Sequence, residues 1–277
     1  MAASLEATPR GAQINQVTVP DRLRLKFPFH TEYAERLRFV TNLYGGGGIT
    51  PSTVTLLTGT PGSGKSTLML QLADALHRRD DCFVLFNGGE ESLFQTKMVC
   101  ERLFKRSEPQ FYVGQDTLVD GQNKDMHSKV KAQVNNGEIH SILGHMNFLR
   151  KKHPEKQPIL MLDSLQSFDD GKYGDGFTNG QTPLRVLKLI NRYCKSTFCS
   201  AIVIGQVTKS GDALGANKVI HDIDVFMHMY IDTKEKSKTQ GMRIITTKKN
   251  RYGYSQQAHV LSMIEDGLVE EGALEES

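Results

Sequence analysis

Residues Gly59 to Thr67 read GTPGSGKST, a glycine-rich stretch ending in a lysine and two hydroxyl side chains. The spacing is G-x-x-x-x-G-K-[ST], and an apolar β-like run, Val54 to Leu57, precedes it while a helical run, Leu68 to Leu76, follows. In that setting Gly59, Gly62 and Gly64 are expected to take positive φ and turn backbone N–H groups inward around a phosphate. Thr60, Pro61 and Ser63 fill the variable positions of the same cradle, and Thr67 completes it. A helix beginning near Lys65 adds its positive dipole end at that point. Lys65 would then reach the β- and γ-phosphates of a nucleotide, and the Ser66 hydroxyl would ligate Mg²⁺. A purely structural turn is the plain alternative, and the strand before and helix after argue against it.

Three further positions share one placement, directly after an apolar run. Asp163 closes Ile159 to Leu162 (ILML), the pattern of a strand that supports magnesium, where it would help Ser66 hold the ion. A helix-capping or turn aspartate is the plainer reading. Glu90 and Glu91 follow Cys82 to Phe86 (CFVLF). Hydrolysis needs a base or water-orienting group near the γ-phosphate, and a carboxylate ending a neighbouring strand can face it. Glu90 is preferred, the alternative being that both acids simply favour the dipole of the helix they begin. Gln206 follows Ala201 to Ile204 and would sense the γ-phosphate by hydrogen bonding, unless it is only a solvated loop residue.

Strands alternating with helices predict an α/β fold with a mainly parallel sheet covered on both faces. Ligands of such sheets bind at the carboxyl ends of the strands. Further elements are expected as a short strand and helix within Arg22 to Val40, a helix from Glu90 to Leu103 with Leu93, Met98 and Leu103 apolar, and a brief strand at Phe111 to Val113. A helix is expected at Leu184 to Tyr193, and β segments at Val225 to Ile231, Met242 to Thr247 and Ala258 to Met263. Residues 168–182 are rich in Gly and Asp and predict a surface loop. Residues 120–157 are polar, with Ile139, Ile142, Leu143, Met146 and Leu149 spaced for one helical face, and read as an added helical element. Residues 1–20 are expected to be a mobile tail, 21–271 a single domain and 272–277 an acidic tail, with the acids from Glu270 to Glu276 solubilising that end.

The 277 residues are 38% hydrophobic and 23% charged, as in an ordinary soluble domain. A net charge of +3 permits a nucleic-acid partner but requires any basic surface to be local. The four cysteines form no C-x-x-C pair, which argues against a zinc ribbon or disulfide framework and for core thiols. With no 18-residue apolar stretch and no charged-then-apolar leader, a cytoplasmic protein without a membrane partner is expected.

Five segments together carry a resemblance: GGGGITPSTVTLLTGTPGSGKSTLMLQ from Gly45, LFNGGEES from Leu85, LDSLQS from Leu162, IGQVTKSG from Ile204 and KNRYG from Lys249. The chain resembles the ATPase domain of the RecA superfamily, above all that of the bacterial RadA/Sms DNA-repair proteins. The ending HVLSMIEDGLVEE is similar to the strand pair that closes that core. The resemblance implies a P-loop NTPase with a C-terminal antiparallel extension, using ATP and Mg²⁺ as a motor or remodelling ATPase on single-stranded DNA. It implies a homo-oligomer, a hexameric ring or filament, working with recombination or replication proteins. In such ATPases the site lies between subunits, and Lys249 and Arg251 fall on the basic pair donated by the neighbour; a solvent-facing basic hairpin is the alternative. Two DNA-binding loops would correspond to about 168–182 and 209–220, where Lys172, Lys209 and Lys218 would meet phosphates and Tyr173 and Phe177 would stack on bases. Gln206 stands where RadA proteins usually have histidine, and neither their zinc-binding N-terminal module nor their protease-like C-terminal domain is expected in this chain. A KaiC-like regulatory ATPase acting on proteins, or a nucleotide-binding loading factor with little hydrolysis, are the competing readings.

Overall fold

The computed structural model describes residues 36–105, 108–114, 137–171, 180–206 and 220–274. Helix α1 (Arg38–Leu43) leads to β1 (Val54–Gly59), α2 (Lys65–His77), β2 (Cys82–Gly88), α3 (Leu93–Leu103) and β3 (Tyr112–Gly114). Then come β4 (Gly137–Glu138), α4 (Ile139–Lys152), β5 (Gln157–Asp163), β6 (Phe168–Asp169), α5 (Thr182–Thr197) and β7 (Ser200–Gly205). Strands β8 (Val225–Ile231), β9 (Arg243–Asn250), β10 (Ala258–Ile264) and β11 (Gly267–Ala273) follow.

Nine strands form one sheet in the order β11-β10-β9-β8-β1-β7-β5-β2-β3. Pairing is parallel from β8 to β3 and antiparallel from β8 to β11. The central strands are apolar at nearly every position because both faces are covered. Their alternation is visible in β2, where Cys82, Val84 and Phe86 join one core while Phe83 and Leu85 join the other. The first core packs α1, α2 and α3 on the sheet; the second packs α4 and α5. All four cysteines are free and buried in these cores, and burial pushes the Cys82 thiol up to about 12 and the Cys100 thiol up to about 11. Among the described residues no helix is long and apolar enough to cross a membrane.

The structure departs from the sequence reading at the start of α3, in the expected loop at 168–182 and at the last acids, as well as at Gly59 described below. Helix α3 begins at Leu93 because Ser92 and Gln95 form a capping box, and the stripe it buries is Thr96, Cys100 and Leu103. Met98, one of its apolar positions, lies off that stripe and is 68% exposed, as is Phe94 at 84%. The surface loop expected at 168–182 starts as buried structure: Phe168 and Asp169 pair with β4, and the buried Asp170 binds Arg185 of α5 at 2.6 Å. Burial needs a partner for such a carboxylate, and α5 supplies it. The acids expected to begin a solubilising end instead lie in β11, where Glu270 bonds the buried His259 at 2.6 Å. The helical face expected in 120–157 is present in α4, which buries Ile139, Ile142, Met146 and Leu149, with Leu143 packed against them. Residues 115–136, 172–179 and 207–219, including Lys172, Tyr173, Phe177, Lys209 and Lys218, lie outside the described residues.

The antiparallel extension is tied to the helix that follows the glycine-rich turn. Buried Gln71 of α2 accepts from the Leu268 N–H at 2.9 Å and donates to the Leu268 carbonyl at 3.3 Å. From the other side, Lys105 reaches Glu265 at 2.6 Å and Arg102 donates to the Glu265 carbonyl at 2.7 Å. Gln71→Leu strands two buried backbone groups of β11, so it is expected to lower stability by about 2–4 kcal/mol, measured by urea unfolding.

Candidate nucleotide site

The carboxyl ends of β1, β7, β5 and β2 are neighbours in that order. With strands about 4.8 Å apart, the residues leaving them fall along a line of roughly 15 Å. The glycine-rich turn leaves β1, Gln206 leaves β7, Asp163 ends β5, and Glu90 lies just beyond β2.

In the turn, Gly62 and Gly64 take φ of +74° and +100°, as expected of residues that curl the backbone around an anion. Gly59 differs from expectation: it is not left-handed. A Cβ there would come within 1.9 Å of the Met229 carbonyl oxygen, so glycine serves the close passage of β1 beside β8. Thr60 and Ser63 shape the turn by hydrogen bonds, Thr60 N–H to the Met229 carbonyl at 3.1 Å and Ser63 N–H to the Thr60 carbonyl at 3.2 Å. Pro61 is exposed at its crest, and Ser66 and Thr67 stand in the first turn of α2. The Lys65 ammonium arches back over the turn, donating to the carbonyls of Gly59 at 3.1 Å and Thr60 at 2.9 Å. Burial lowers its pKa, while the charges of Asp163 and Glu90 oppose that shift.

The Ser66 hydroxyl faces the Asp163 carboxyl and favours its charged form. Burial pushes the Asp163 carboxyl up to about 6; the Ser66 bond and Lys65 pull it down, and the charges of Glu90 and Glu91 add to the rise. Asp163 and Glu90 thus face one ammonium, with Glu91 near Asp163, and two hard oxygen donors, Ser66 and Asp163, stand close together. That donor set fits magnesium, whose charge would relieve the repulsion that raises Asp163.

Glu90 is not spent on the dipole of α3, whose cap is Ser92. Its Oε1 accepts from Ser164 Oγ at 2.5 Å, from Gln206 Nε2 at 3.2 Å and from Ser167 Oγ at 3.4 Å. Gln206 is itself placed by its N–H, which donates to Gln166 Oε1 at 3.2 Å. The structure therefore joins Glu90 to Gln206 directly, and both to the loop after Asp163. Glu91 is exposed, acting here through its charge near Asp163. Sequence reasoning gave Ser164 and Ser167 no role, although hydroxyls one and four residues beyond the acid were a readable signal. It also missed His228, which shares a 3.0 Å hydrogen bond with Thr58. Burial foremost, then the charges of Lys248 and Lys65, lower the His228 pKa. No local pattern marks it.

Lys249 and Arg251 are not brought to this site. Phe226 pairs with Lys249 and Val225 with Asn250 at the amino end of β8, the end opposite the turn. Lys249 donates to the carbonyls of Ile220 and Ile223, each at 2.7 Å, and Arg251 pairs with Asp224 at 3.0 Å.

The raised Asp163 pKa fixes the sign of a stability effect. A carboxyl whose folded pKa lies above its unfolded value near 3.8 favours the folded state when protonated, and that benefit is lost as pH rises through about 6. Asp163→Asn is therefore expected to raise the melting temperature of the ligand-free protein at pH 8, by an amount worth roughly 1–3 kcal/mol, and to do so much less at pH 4.5. Calorimetry at the two pH values checks this.

No protein-family model matches the chain. Curated relatives do. The chain is 30% identical over 227 residues to the DNA repair protein RadA of Mycobacterium tuberculosis, covering 80% of this chain and 40% of that protein. It is 31% identical over 225 residues to the RadA of Chlamydia pneumoniae, covering 81% and 42%. The chain thus spans about two fifths of the length of these relatives. Among solved structures, a DnaB-like replicative helicase described with its interactions with primase superposes with a TM-score of 0.62 at 14% identity, covering 81% of this chain and 59% of that one. A second solved structure, of an ATPase domain, does so with a TM-score of 0.60 at 16% identity, covering 83% and 89%. With the turn, the strand order and the acids at the carboxyl edge, these likenesses show that the chain has a RecA-like P-loop fold and is similar in sequence to RadA proteins.

Proposed function

We propose that this chain is a magnesium-dependent ATPase that acts on single-stranded DNA, with its reaction completed by a neighbouring copy. The observation that carries the hydrolytic part is the Glu90–Gln206 contact at 3.2 Å beside Lys65 and the Ser66–Asp163 pair. A nucleotide-binding turn alone would need no such assembly.

Residues Gly59 to Thr67 grip the triphosphate through backbone N–H groups, and Lys65 exchanges its bonds to the turn's own carbonyls for phosphate oxygens. Ser66 and Asp163 would hold magnesium, which neutralises charge on the phosphates. Glu90 orients a water for in-line attack and receives its proton, with Ser164 and Ser167 holding the carboxylate in place. Gln206, bonded to Glu90, is set to exchange that bond for one to the γ-phosphate, linking the state of the nucleotide to the segment that follows β7. Lys249 and Arg251 lie on the far edge of the sheet, so in this reading they serve the next copy's phosphates, where charge accumulates in the transition state.

The DNA part rests on the RadA relatives, which are DNA repair proteins, and on the likeness to a replicative helicase. Lys172, Lys209 and Lys218 are proposed as phosphate contacts in the segments after β6 and β7. Phosphate release assayed with and without an oligonucleotide tests the whole reading. Single-stranded DNA is expected to stimulate turnover, Lys65→Ala to abolish it, and Glu90→Gln to lower kcat by about 10²–10⁴-fold while ATP still binds. Turnover indifferent to DNA across a range of salt would overturn the DNA role; full activity in Glu90→Gln would overturn the assignment of the base.

A further inference from the structure

The far edge of the sheet holds a buried acid to which the reaction described above gives no role. Asp224 directly precedes β8 and is fully buried. Its Oδ2 accepts from the N–H of Val54, the first residue of β1, at 3.0 Å. Its Oδ1 accepts from Arg251 Nη1, also at 3.0 Å. The backbones are joined as well, Asp224 N–H to the Val54 carbonyl at 3.0 Å and Arg251 N–H to the Asp224 carbonyl at 2.9 Å.

A carboxylate removed from water is tolerated when charge and hydrogen bonds match it, and Arg251 supplies the charge. The arginine gains something in return. Its side chain stays 42% exposed although Asp224 is 0% exposed, so the guanidinium is fixed along one edge and open along the other. A weak second contact, Nη2 to the His221 carbonyl at 3.5 Å, holds the same edge. An unanchored surface arginine would have to freeze several rotatable bonds before meeting a phosphate, which costs conformational entropy. This one is frozen in advance. Lys249 is seated on the same 220–224 segment through the Ile220 and Ile223 carbonyls.

We infer that Asp224 is a positioning residue for the adjoining copy's phosphate site: it holds Arg251 so that the exposed edge of the guanidinium enters that site. The inference rests on the proposed sharing of the site between copies. One carboxylate then touches both the strand behind this copy's own phosphate turn and the cation offered to the next copy. Because it acts through Arg251, its loss should leave ATP binding alone and slow the chemical step.

The test uses the full chain carrying Asp224→Asn, Asp224→Ser, Arg251→Ala or Asp224→Asn/Arg251→Ala, each also mixed with Lys65→Ala chains. Asp224→Asn is expected to lower kcat roughly ten- to a hundredfold with KM for ATP within about twofold. The double variant should be no slower than Arg251→Ala alone, because one residue works through the other. Mixing with Lys65→Ala should restore turnover to Asp224→Asn as it does to Arg251→Ala, since the Lys65→Ala chains still donate an anchored arginine. Wild-type kcat in both Asp224 variants would overturn the inference. So would a double variant slowed by the product of the single effects, or failure of both Asp224 variants to fold by thermal melting. If Arg251→Ala is restored by mixing and Asp224→Asn is not, only the positioning role fails. If Arg251→Ala is never restored although it assembles normally, the shared site fails and the role of Asp224 falls with it.

Discussion

The parallel register of four strands is the constraint on which the site depends. Leu57 of β1 lies opposite Ile204 of β7, Leu162 of β5 opposite Val203 of β7, and Gly88 of β2 opposite Asp163. These pairings bring the four strand ends to nearly one level, so chain leaving each of them emerges along a single edge. A slip of one residue in any strand would turn its apolar set to the wrong core and its terminal functional residue to the wrong face. The two hydrophobic cores that hold the register therefore also hold the chemistry.

At that edge the balance of charge is unfavourable without a ligand. Lys65 faces Asp163 and Glu90, with Glu91 close enough to Asp163 to raise its pKa. Lys65 meanwhile satisfies itself on the carbonyls of its own turn. Such a pocket suits an anion with a cation beside it, because phosphates would engage the lysine and a metal the acids. The serines after Asp163 complete the arrangement by holding Glu90 through neutral hydroxyls, which orient a carboxylate without cancelling its charge.

Much of the fold was legible because its signals are local. Continuous apolar runs marked β1, β2, β5 and β7, and glycine spacing marked the phosphate turn. The placement of Asp163, Glu90 and Gln206 after strands followed from those runs. Other features were illegible for a physical reason. Which face of α3 packs depends on where its cap sets the first turn, so the apolar Met98 is exposed while the polar Thr96 is buried. Gly59 looked like a turn glycine, yet it answers to Met229, far away in sequence. Glu270 looked like solubilising charge until β11 laid it beside His259.

By itself the amino-acid sequence determined the strand–turn–helix around Lys65, the alternation of strands and helices, and the types of residue at the strand ends, because each depends on neighbours a few positions away. Only the tertiary structure decided that Glu90 is bonded by Ser164, Ser167 and Gln206, and that Lys249 and Arg251 sit at the opposite edge, anchored on the 220–224 segment. Those outcomes follow from strand order and register, which join residues far apart in sequence, as with Val54 and Asp224, 170 positions apart. A local pattern carries no record of such pairings.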